Sequence, residues 1–323
     1  MNCRSGFVTI VGRPNVGKST LLNSLIGSKI AIVTPKPQTT RSAVQGVLTL
    51  DGEKNPFGVT IPGLPGQAEG APSPPPMAQI VFLDTPGILE PRSRLDRKMV
   101  EEIREALAGR DLLLFLVDAS QPFGPKDEGT VEWVRSVDIP CFLLLNKIDR
   151  IAKPALLPLI EGYRKLHEFA EVIPISALTG ENIPLLLERI LARLPEGPLY
   201  YPPDHLTEQP VRFLAAEMIR EKIGLETRQE VPYATAVIVE RFEEREGLTY
   251  IAAEIIVERE GQKGILIGVG GEMLKRIGTL ARKDIEKLLD RKVFLELHVK
   301  VRERWRDNPR FLEELDWRKM VGG

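Results

Sequence analysis

The sequence predicts an α/β domain with a mostly parallel sheet, followed by a smaller α+β domain. Short apolar runs alternate with helical segments over roughly the first 190 residues, and this alternation predicts a sheet with helices on both faces. A proline-rich stretch then interrupts the pattern, and a different element order follows it. At 323 residues the chain is long enough for two domains of ordinary size.

Six short apolar runs, with β-branched residues prominent in the first, are predicted to form the strands of the first domain. A glycine-bearing turn and a helical stretch, Ser19–Ile26, follow the first run. The runs are Gly6–Val11, Ala43–Leu50, Ile80–Leu83, Leu112–Val117, Cys141–Leu145 and Val172–Ile175.

One segment between two of these strands differs in composition. Asp51–Gln79 is rich in proline and glycine and includes PSPPP at Pro72–Pro76. Such a segment cannot bury enough apolar surface to fold alone. We expect a flexible excursion on a hairpin tip, with a docking element as the alternative.

Proline also marks the predicted domain boundary. The stretch LPEGPLYYPPDH, within Arg189–Pro210, contains four prolines that cannot continue a helix. We assign residues 1–195 to the first domain, 196–210 to a linker and 211–323 to the second. The second domain is expected to contain a helix (Val211–Ile223), two strands (Tyr233–Glu243 and Thr249–Glu260), a turn (Gly268–Gly271), a helix to Leu289, a strand (Val293–Val301) and a C-terminal helix.

Composition limits the classes of protein. Lys+Arg 44 against Asp+Glu 45 gives a net charge of -1, so a nucleic-acid site must be a local patch. Cys3 and Cys141 are the only cysteines and have no metal-ligand spacing, which favours a reducing cytosol. No run approaches the ~18–20 apolar residues of a membrane span. We expect a cytoplasmic protein and leave peripheral contact with the inner face of the membrane open.

A phosphate-binding loop is predicted between the first strand and the first helix. Eight residues fit G-x-x-x-x-G-K-[ST] in the strand–turn–helix context that the motif requires. They are Gly12, Arg13, Pro14, Asn15, Val16, Gly17, Lys18 and Ser19. Backbone N–H groups would surround phosphate oxygens, Lys18 would reach the β- and γ-phosphates, and the Ser19 hydroxyl would ligate Mg²⁺.

A second loop is suited to sensing the γ-phosphate. It follows the strand Ile80–Leu83, so Asp84 can hold Mg²⁺ through water and the Gly87 amide can bond the phosphate. Loss of that phosphate would release the loop. This candidate switch II consists of Asp84, Thr85, Pro86, Gly87 and Ile88.

The base-binding residues follow two later strands. The Asp149 carboxylate would accept hydrogen bonds from the guanine N1–H and 2-amino groups. Adenine lacks both donors and would leave the carboxylate unpaired, so the site favours GTP over ATP by several kcal/mol. The candidate guanine-binding residues are Asn146, Lys147, Asp149, Ser176, Ala177 and Leu178.

The motifs GRPNVGKS, QTTR, DTPG, NKID and SAL, in this order, resemble the GTPases of the Era and MnmE type over about the first 190 residues. The resemblance implies a GTPase with Mg²⁺ as cofactor. It also implies that Thr40, or its neighbour Thr39, is the switch I threonine that closes on Mg²⁺, and adjacency to Arg41 favours Thr40.

Two further residues bear on hydrolysis. Ras-like proteins orient the attacking water with a Gln after DxxG, but here Ile88 occupies that position, so intrinsic turnover should be slow. In related GTPases the P-loop asparagine, here Asn15, helps bind K⁺. The alternative is that Asn15 only stabilises the loop.

A second resemblance lies in the C-terminal half. A GxxG motif in the order α-β-β-turn-α-β resembles a type II KH domain, whose loop clamps about four single-stranded nucleotides. The candidate RNA-binding residues are Gly268, Val269, Gly270, Gly271, Lys275 and Arg276. Val269 stands where this family would carry a Lys, so one phosphate contact is lost.

The pairing of the two domains is similar to the Era family of bacterial ribosome-assembly GTPases over nearly the whole chain. The resemblance implies a monomer that binds GTP, GDP and the 3′ end of small-subunit ribosomal RNA, and that assists assembly of the small ribosomal subunit. We hypothesise that GTP orders Thr40 and the Asp84–Ile88 loop and so changes how the KH domain is presented. The alternatives are a P-loop phosphotransferase or ATPase, and a guanine-nucleotide-binding scaffold without useful turnover.

Overall fold

A computed structural model describes residues 3–51, 55–61, 77–88 and 90–318. The chain forms two compact units. The first comprises Met1–Ser28, Ala43–Leu89 and Glu101–Glu208, and the second comprises Lys29–Ser42, Glu90–Val100 and Gln209–Gly323. In the described ranges, no helix is long and apolar enough to cross a membrane.

The first unit is built on a six-stranded sheet with the order β2-β3-β1-β4-β5-β6. Its strands are β1 (Cys3–Val11), β2 (Val44–Leu50), β3 (Met77–Asp84), β4 (Leu112–Asp118), β5 (Cys141–Asn146) and β6 (Glu171–Pro174). Only β2 runs antiparallel to its neighbour, which confirms the prediction of a mostly parallel sheet. The strands are buried because helices cover both faces.

Within the described ranges, five α-helices alternate with these strands along the chain. They are α1 (Lys18–Ile26), α2 (Arg94–Leu107), α3 (Pro125–Arg135), α4 (Leu156–Arg164) and α5 (Ile183–Arg193). The loops after β1, β3, β4, β5 and β6 all lie at the carboxyl edge of the parallel sheet, where ligands of such folds bind.

The predicted excursion Asp51–Gln79 is wrong at its C-terminal end, because β3 already begins at Met77. Gln79 is fully buried, and its side-chain amide donates to Thr49 Oγ1 at 3.0 Å and to the Tyr201 carbonyl at 2.9 Å. The first residues of β3 pair in parallel with the first residues of β1, and this pairing extends β3 beyond the predicted strand. The rest of this prediction falls largely on residues 52–54 and 62–76, outside the described residues.

The proline-rich stretch after α5 packs along the first unit. The Gly197 amide donates to the Cys3 carbonyl at 2.9 Å, and the Val47 amide donates to the Leu206 carbonyl at 2.8 Å. The Thr207 hydroxyl adds a bond to the Gln45 carbonyl at 2.6 Å. Because the prolines prevent a helix here, main-chain groups of this stretch form hydrogen bonds with the sheet instead. The exact domain boundaries drawn from the sequence stay a prediction.

The C-terminal part of the second unit has the strand order β7-β8-β9, with β8 and β9 parallel. Its elements are α6 (Val211–Glu226), β7 (Ala236–Arg245), β8 (Leu248–Val257), α7 (Glu260–Ile267), α8 (Glu272–Leu289), β9 (Lys292–Val301) and α9 (Pro309–Glu314).

Helix α7 corrects the predicted strand Thr249–Glu260. The strand ends at Val257 and a helix starts at Glu260. Gln262 causes the change, because its side-chain oxygen accepts from the Glu258 amide at 2.9 Å and the Arg259 amide at 3.1 Å. These bonds satisfy main-chain donors at a helix N-terminus. The order is therefore α-β-β-α-turn-α-β.

Helix α8 is held against one face of this sheet. Alternate residues of β8, among them Ile251 and Ile255, are fully buried with Ile277 and Ile285 of α8. Spacing of two along the strand and of three to four along the helix puts these side chains on the facing surfaces. This core fixes α8 beside β9, the edge strand of the described sheet.

Candidate functional site

The phosphate-binding loop requires glycine at both ends of the motif. A Cβ on Gly12 would lie 2.2 Å from the Leu116 carbonyl oxygen, and one on Gly17 would lie 2.3 Å from Asn146 Nδ2. Gly17 also has φ 104° and precedes the first residue of α1. The loop can therefore close tightly at the helix N-terminus, where main-chain N–H groups favour anions.

Lys18 and Ser19 begin α1 and lie in this loop. Lys18 Nζ donates to the carbonyls of Gly12 at 3.2 Å and Arg13 at 3.1 Å. Ser19 Oγ donates to Asp84 Oδ2 at 2.6 Å. Burial lowers the pKa of Lys18 to about 8, against the attraction of Asp84. A buried ammonium held only by carbonyls is well placed to exchange them for phosphate oxygens.

The lowered pKa of Lys18 predicts proton uptake on nucleotide binding. Near pH 8 about half of the nucleotide-free protein carries a neutral Lys18, whereas phosphate would hold it protonated. We expect calorimetry of GDP binding, in buffers of different ionisation enthalpy, to show proton uptake that increases as the pH is raised through about 8. Affinity should fall over the same interval. Uptake near zero throughout would contradict a neutralised Lys18.

The candidate switch II loop lies against the phosphate-binding loop. The Ile88 amide donates to the Gly12 carbonyl at 3.1 Å, and the Thr85 hydroxyl donates to the Ile10 carbonyl at 2.9 Å. The Ile88 side chain packs against an apolar cluster of the sheet. The Ile88 side chain thus offers no polar group to a water, and its effect on turnover stays a prediction.

The predicted guanine-binding residues are brought together by main-chain and side-chain bonds. Asn146 Nδ2 donates to the Val16 carbonyl at 2.7 Å, and Asn146 Oδ1 accepts from the Ala177 amide at 2.9 Å. Ser176 Oγ donates to Asp149 Oδ1 at 2.6 Å. Asn146 thus connects the phosphate loop to the base loop. The second carboxylate oxygen of Asp149, Oδ2, lies 3.9 Å from Arg150 Nε. Leu178, 72% exposed, lies beside this site.

Asp118 is a site residue that the sequence analysis missed. It ends β4 and accepts from Lys147 Nζ at 2.6 Å, while Lys147 also donates to the Asn15 carbonyl at 2.7 Å. Burial alone would raise the pKa of Asp118, but hydrogen bonds from Lys147 and Ser120 outweigh it and lower the pKa. Asp118 therefore orients Lys147 across the site. Its position directly after the predicted strand Leu112–Val117 was the available signal.

The candidate switch I residues Thr39 and Thr40 belong to the second unit. The Thr39 hydroxyl donates to the Lys36 carbonyl at 2.7 Å, and its main-chain carbonyl accepts from Arg220 of α6. Thr40 is buried. The next residue, Arg41, donates to the Thr235 carbonyl at 2.7 Å and the Tyr233 carbonyl at 3.0 Å. A role for either threonine on Mg²⁺ stays a prediction.

The GxxG loop lies between α7 and α8 in the second unit. Val269 is 90% exposed within it. A groove of about 480 Å³ runs from Gly271 along α8 to β9, and Lys275 lines it. Arg276 is not among the residues that line the groove, and its guanidinium pairs with Glu226 of α6 at 2.7 Å. The structure thus brings the loop and Lys275 together and places Arg276 elsewhere.

The groove also contains residues outside the six RNA-binding candidates. They are Leu274, Gly278, Thr279, Arg282, Phe294, Leu295 and Leu297. The last three belong to the edge strand β9, so the helical spacing of residues in α8 could not predict them. An apolar floor with a cationic rim is suited to bases and phosphates of a single strand.

Fold and site together define a P-loop guanine-nucleotide-binding protein with a KH domain. Residues 7–147 match the 50S ribosome-binding GTPase family and residues 230–306 match the KH domain family. GTPase Era of Geobacter metallireducens is 49% identical over 316 residues, covering 97% of this chain and 98% of the relative. GTPase Era of Syntrophus aciditrophicus is also 49% identical, covering 97% and 95%. The chain belongs to the GTPase Era family and is a GTPase.

Two solved structures are similar to the chain over nearly its whole length. A variant of Aquifex aeolicus Era bound to GDP and AlF4⁻ is 41% identical with a TM-score of 0.85, covering 97% of this chain and 99% of that one. Era in complex with MgGDPNP and nucleotides 1506–1542 of 16S ribosomal RNA is 40% identical with a TM-score of 0.86, covering 98% and 99%. The alternative prediction of a P-loop phosphotransferase or ATPase does not agree with the similarity to these GTPases.

Proposed function

We propose that this chain is a GTP-dependent RNA-binding factor that assists assembly of the small ribosomal subunit. The observation that carries the proposal is the presence, in one chain, of a complete guanine-nucleotide site and a GxxG groove. The 40%-identical Era structure holds MgGDPNP and a 16S ribosomal RNA segment. By this likeness the ligands of this chain are GTP, GDP and the 3′ end of small-subunit ribosomal RNA.

Mg²⁺ fits the donor set around the phosphate loop. Ser19 Oγ and Asp84 Oδ2 lie 2.6 Å apart, and hard oxygen atoms are the ligands that Mg²⁺ prefers. Within the described ranges, no group of three His, Cys, Asp or Glu residues could hold a metal. Mg²⁺ usually keeps several waters and binds substrate phosphates besides one or two carboxylates. Ser19 would bind it directly and Asp84 through water, with Thr40 as a further ligand. The ion would neutralise charge on the phosphates.

Lys18 would leave the Gly12 and Arg13 carbonyls and hold the β- and γ-phosphates, while Asp149 would accept from guanine. We expect slow hydrolysis, because the Ile88 side chain cannot orient water. Asn15 is exposed and has φ 65°, and we assign it to a K⁺ site that supplies charge in place of an arginine finger. Turnover that rises when KCl replaces NaCl would support this assignment. A monomeric state, a cytoplasmic location and peripheral membrane contact stay predictions.

Val269 offers a direct test of RNA binding, because its exposed side chain can be changed without disturbing the core. We expect Val269→Asp to weaken binding of a single-stranded oligonucleotide from the 3′ end of small-subunit ribosomal RNA by about tenfold, through repulsion of phosphate. Val269→Lys should tighten binding several-fold and steepen the salt dependence by about 0.7 in log–log slope.

Fluorescence anisotropy with the wild-type chain and both variants checks this, with a scrambled oligonucleotide as the control ligand. Binding to the authentic sequence that is no tighter than to the scrambled one would remove the RNA target from the proposal. Equal affinities of the Asp and Lys variants would remove the GxxG loop from the RNA site.

A further inference from the structure

A buried carboxylate that belongs to none of the sequence motifs lies beside the phosphate loop. Asp127, in the first turn of α3, is 7% exposed. Its Oδ2 accepts from the Gly124 amide at 3.0 Å, at the start of α3. Its Oδ1 accepts from Arg13 Nη1 at 3.3 Å, and the Tyr163 hydroxyl of α4 donates to the same carboxylate. Asp127 therefore joins two helices of the first unit to the phosphate loop.

Helix capping alone does not account for the charge of Asp127. The bond from the Gly124 amide needs one oxygen, and a neutral amide side chain can supply it, since Gln also caps helices at this position. The second oxygen pairs with the Arg13 guanidinium, and the two side chains are 10% and 35% exposed. A carboxylate with so little access to water requires a partner of opposite charge or several donors. The charge of Asp127 is thus matched to Arg13, whereas the helix start needs only an acceptor.

Arg13 connects this carboxylate to the phosphate-binding residues. Its side chain contacts α3, whereas its main-chain carbonyl accepts from Lys18 Nζ at 3.1 Å. The neighbouring Gly12 carbonyl accepts from the same Lys18 Nζ at 3.2 Å. Fixing the Arg13 side chain therefore limits the movement of the main-chain segment that holds the Lys18 ammonium.

A cavity of about 270 Å³ borders the phosphate loop at this place. Residues 13–16 of the loop line it, together with Asp127. Because space rather than packed side chains lies here, the loop depends on polar contacts for support. Lys147 supplies one of them, since its Nζ donates to the Asn15 carbonyl at 2.7 Å. Asp127 supplies another from α3, nearer the start of the loop.

The Asp127 carboxylate is itself held in place by Tyr163. Tyr163 is 3% exposed, and its ring packs edge-on against the rings of Phe115 and Phe123, with centroid distances of 6.0 and 5.0 Å. Burial, together with the neighbouring charge of Asp127, raises the pKa of the Tyr163 hydroxyl, which therefore stays a donor. Since the carboxylate is fixed from α3 and α4, it positions Arg13 rather than following it.

We propose that Asp127 is a positioning residue of the GTPase site, which keeps the phosphate loop ready for nucleotide by fixing the Arg13 side chain. The proposal concerns the nucleotide site and is independent of the proposed RNA-binding function. A loop that is already ordered loses less conformational freedom when it binds its ligand. Loss of this contact should therefore weaken the binding of GDP and GTP by the same factor, because both nucleotides place a β-phosphate in this loop.

The test compares Asp127→Asn, Arg13→Gln and the double variant in the full chain, by titration with fluorescent GDP and with a fluorescent, non-hydrolysable GTP analogue. Asp127→Asn keeps an oxygen for the Gly124 amide but removes the charge that holds Arg13. Each single variant should bind both nucleotides about tenfold more weakly. The double variant should bind no more weakly than either, since the two residues act through one contact.

The matched control is Glu128→Gln, which removes an exposed carboxylate from the same turn of α3 and should bind both nucleotides as the wild type does. A role of Asp127 in stability alone would lower the melting temperature of Asp127→Asn and leave its nucleotide affinity unchanged, which would overturn the proposal. A loss of about 100-fold in the double variant, the product of two independent effects, would also overturn it.

A neutral variant tests the same contact if Asp127→Asn does not fold. Tyr163→Phe keeps the ring packing and removes only the hydroxyl that fixes the Asp127 carboxylate. Because this change alters no charge and lies outside the phosphate loop, several-fold weaker binding of both nucleotides would support the proposal. Wild-type affinity of Tyr163→Phe together with wild-type affinity of Arg13→Gln would overturn it.

Discussion

Lys18→Ala is expected to abolish GTP binding at micromolar nucleotide, with a loss of affinity of about 100-fold or more. The ammonium would make charge-assisted hydrogen bonds to phosphate, each worth ~1.5–3 kcal/mol, in a site where burial strengthens them. Lys18 is 6% exposed, so water cannot replace the missing cation fully. Titration with a fluorescent GTP analogue measures the effect.

Lys165→Ala is the matched control, because Lys165 is an exposed lysine at the end of α4, in the same unit. It should bind GTP as the wild type does. Nanomolar GTP binding retained by Lys18→Ala would mean that Gly12–Ser19 is not the phosphate site.

Asp149→Asn should move base preference from guanine toward xanthine. The carboxylate accepts from two guanine donors, whereas the amide offers one donor, which suits the 2-oxo group of xanthine. We expect GTP affinity to fall about 100-fold or more and xanthosine triphosphate affinity to rise. Guanine in the variant and xanthine in the wild type would each leave a buried polar group without its hydrogen-bond partner, which lowers affinity. Competition between the two nucleotides measures the switch directly.

Ser176 is compatible with either Asp or Asn at position 149. Its hydroxyl donates to Asp149 Oδ1 and would donate equally to the amide oxygen of the variant. The control is Asp138→Asn, an exposed carboxylate of the same unit. If Asp149→Asn kept the wild-type preference for GTP, the base would be recognised elsewhere.

Local sequence patterns predicted much of the nucleotide site. The P-loop, the DTPG loop and NKID are contiguous motifs, each directly after a buried strand, and parallel strands bring such loops to one edge. Asn146 shows what contiguous motifs leave out. Its side chain joins the Val16 carbonyl to the Ala177 amide, a connection between three loops that no single motif specifies.

Other features depend on contacts that are remote in sequence. Helix α7 was missed because its start depends on the Gln262 cap, which overrides the strand pattern of the preceding residues. The β9 residues of the groove were missed because this strand pairs with β8 in a register that cannot be read from one apolar run. Asp118 was missed because its partner Lys147 lies on a different loop.

We expect binding of a guanine nucleotide and binding of RNA to be coupled in this chain. Linkage requires that any effect of nucleotide on RNA affinity be matched by an equal effect of RNA on nucleotide affinity. The most direct measurement is therefore RNA affinity of the full chain with a non-hydrolysable GTP analogue and then with GDP. We expect tighter, sequence-selective binding in one of the two states, by about fivefold or more. Equal affinity in both states would contradict the switch, leaving a GTPase and an RNA-binding domain that act independently.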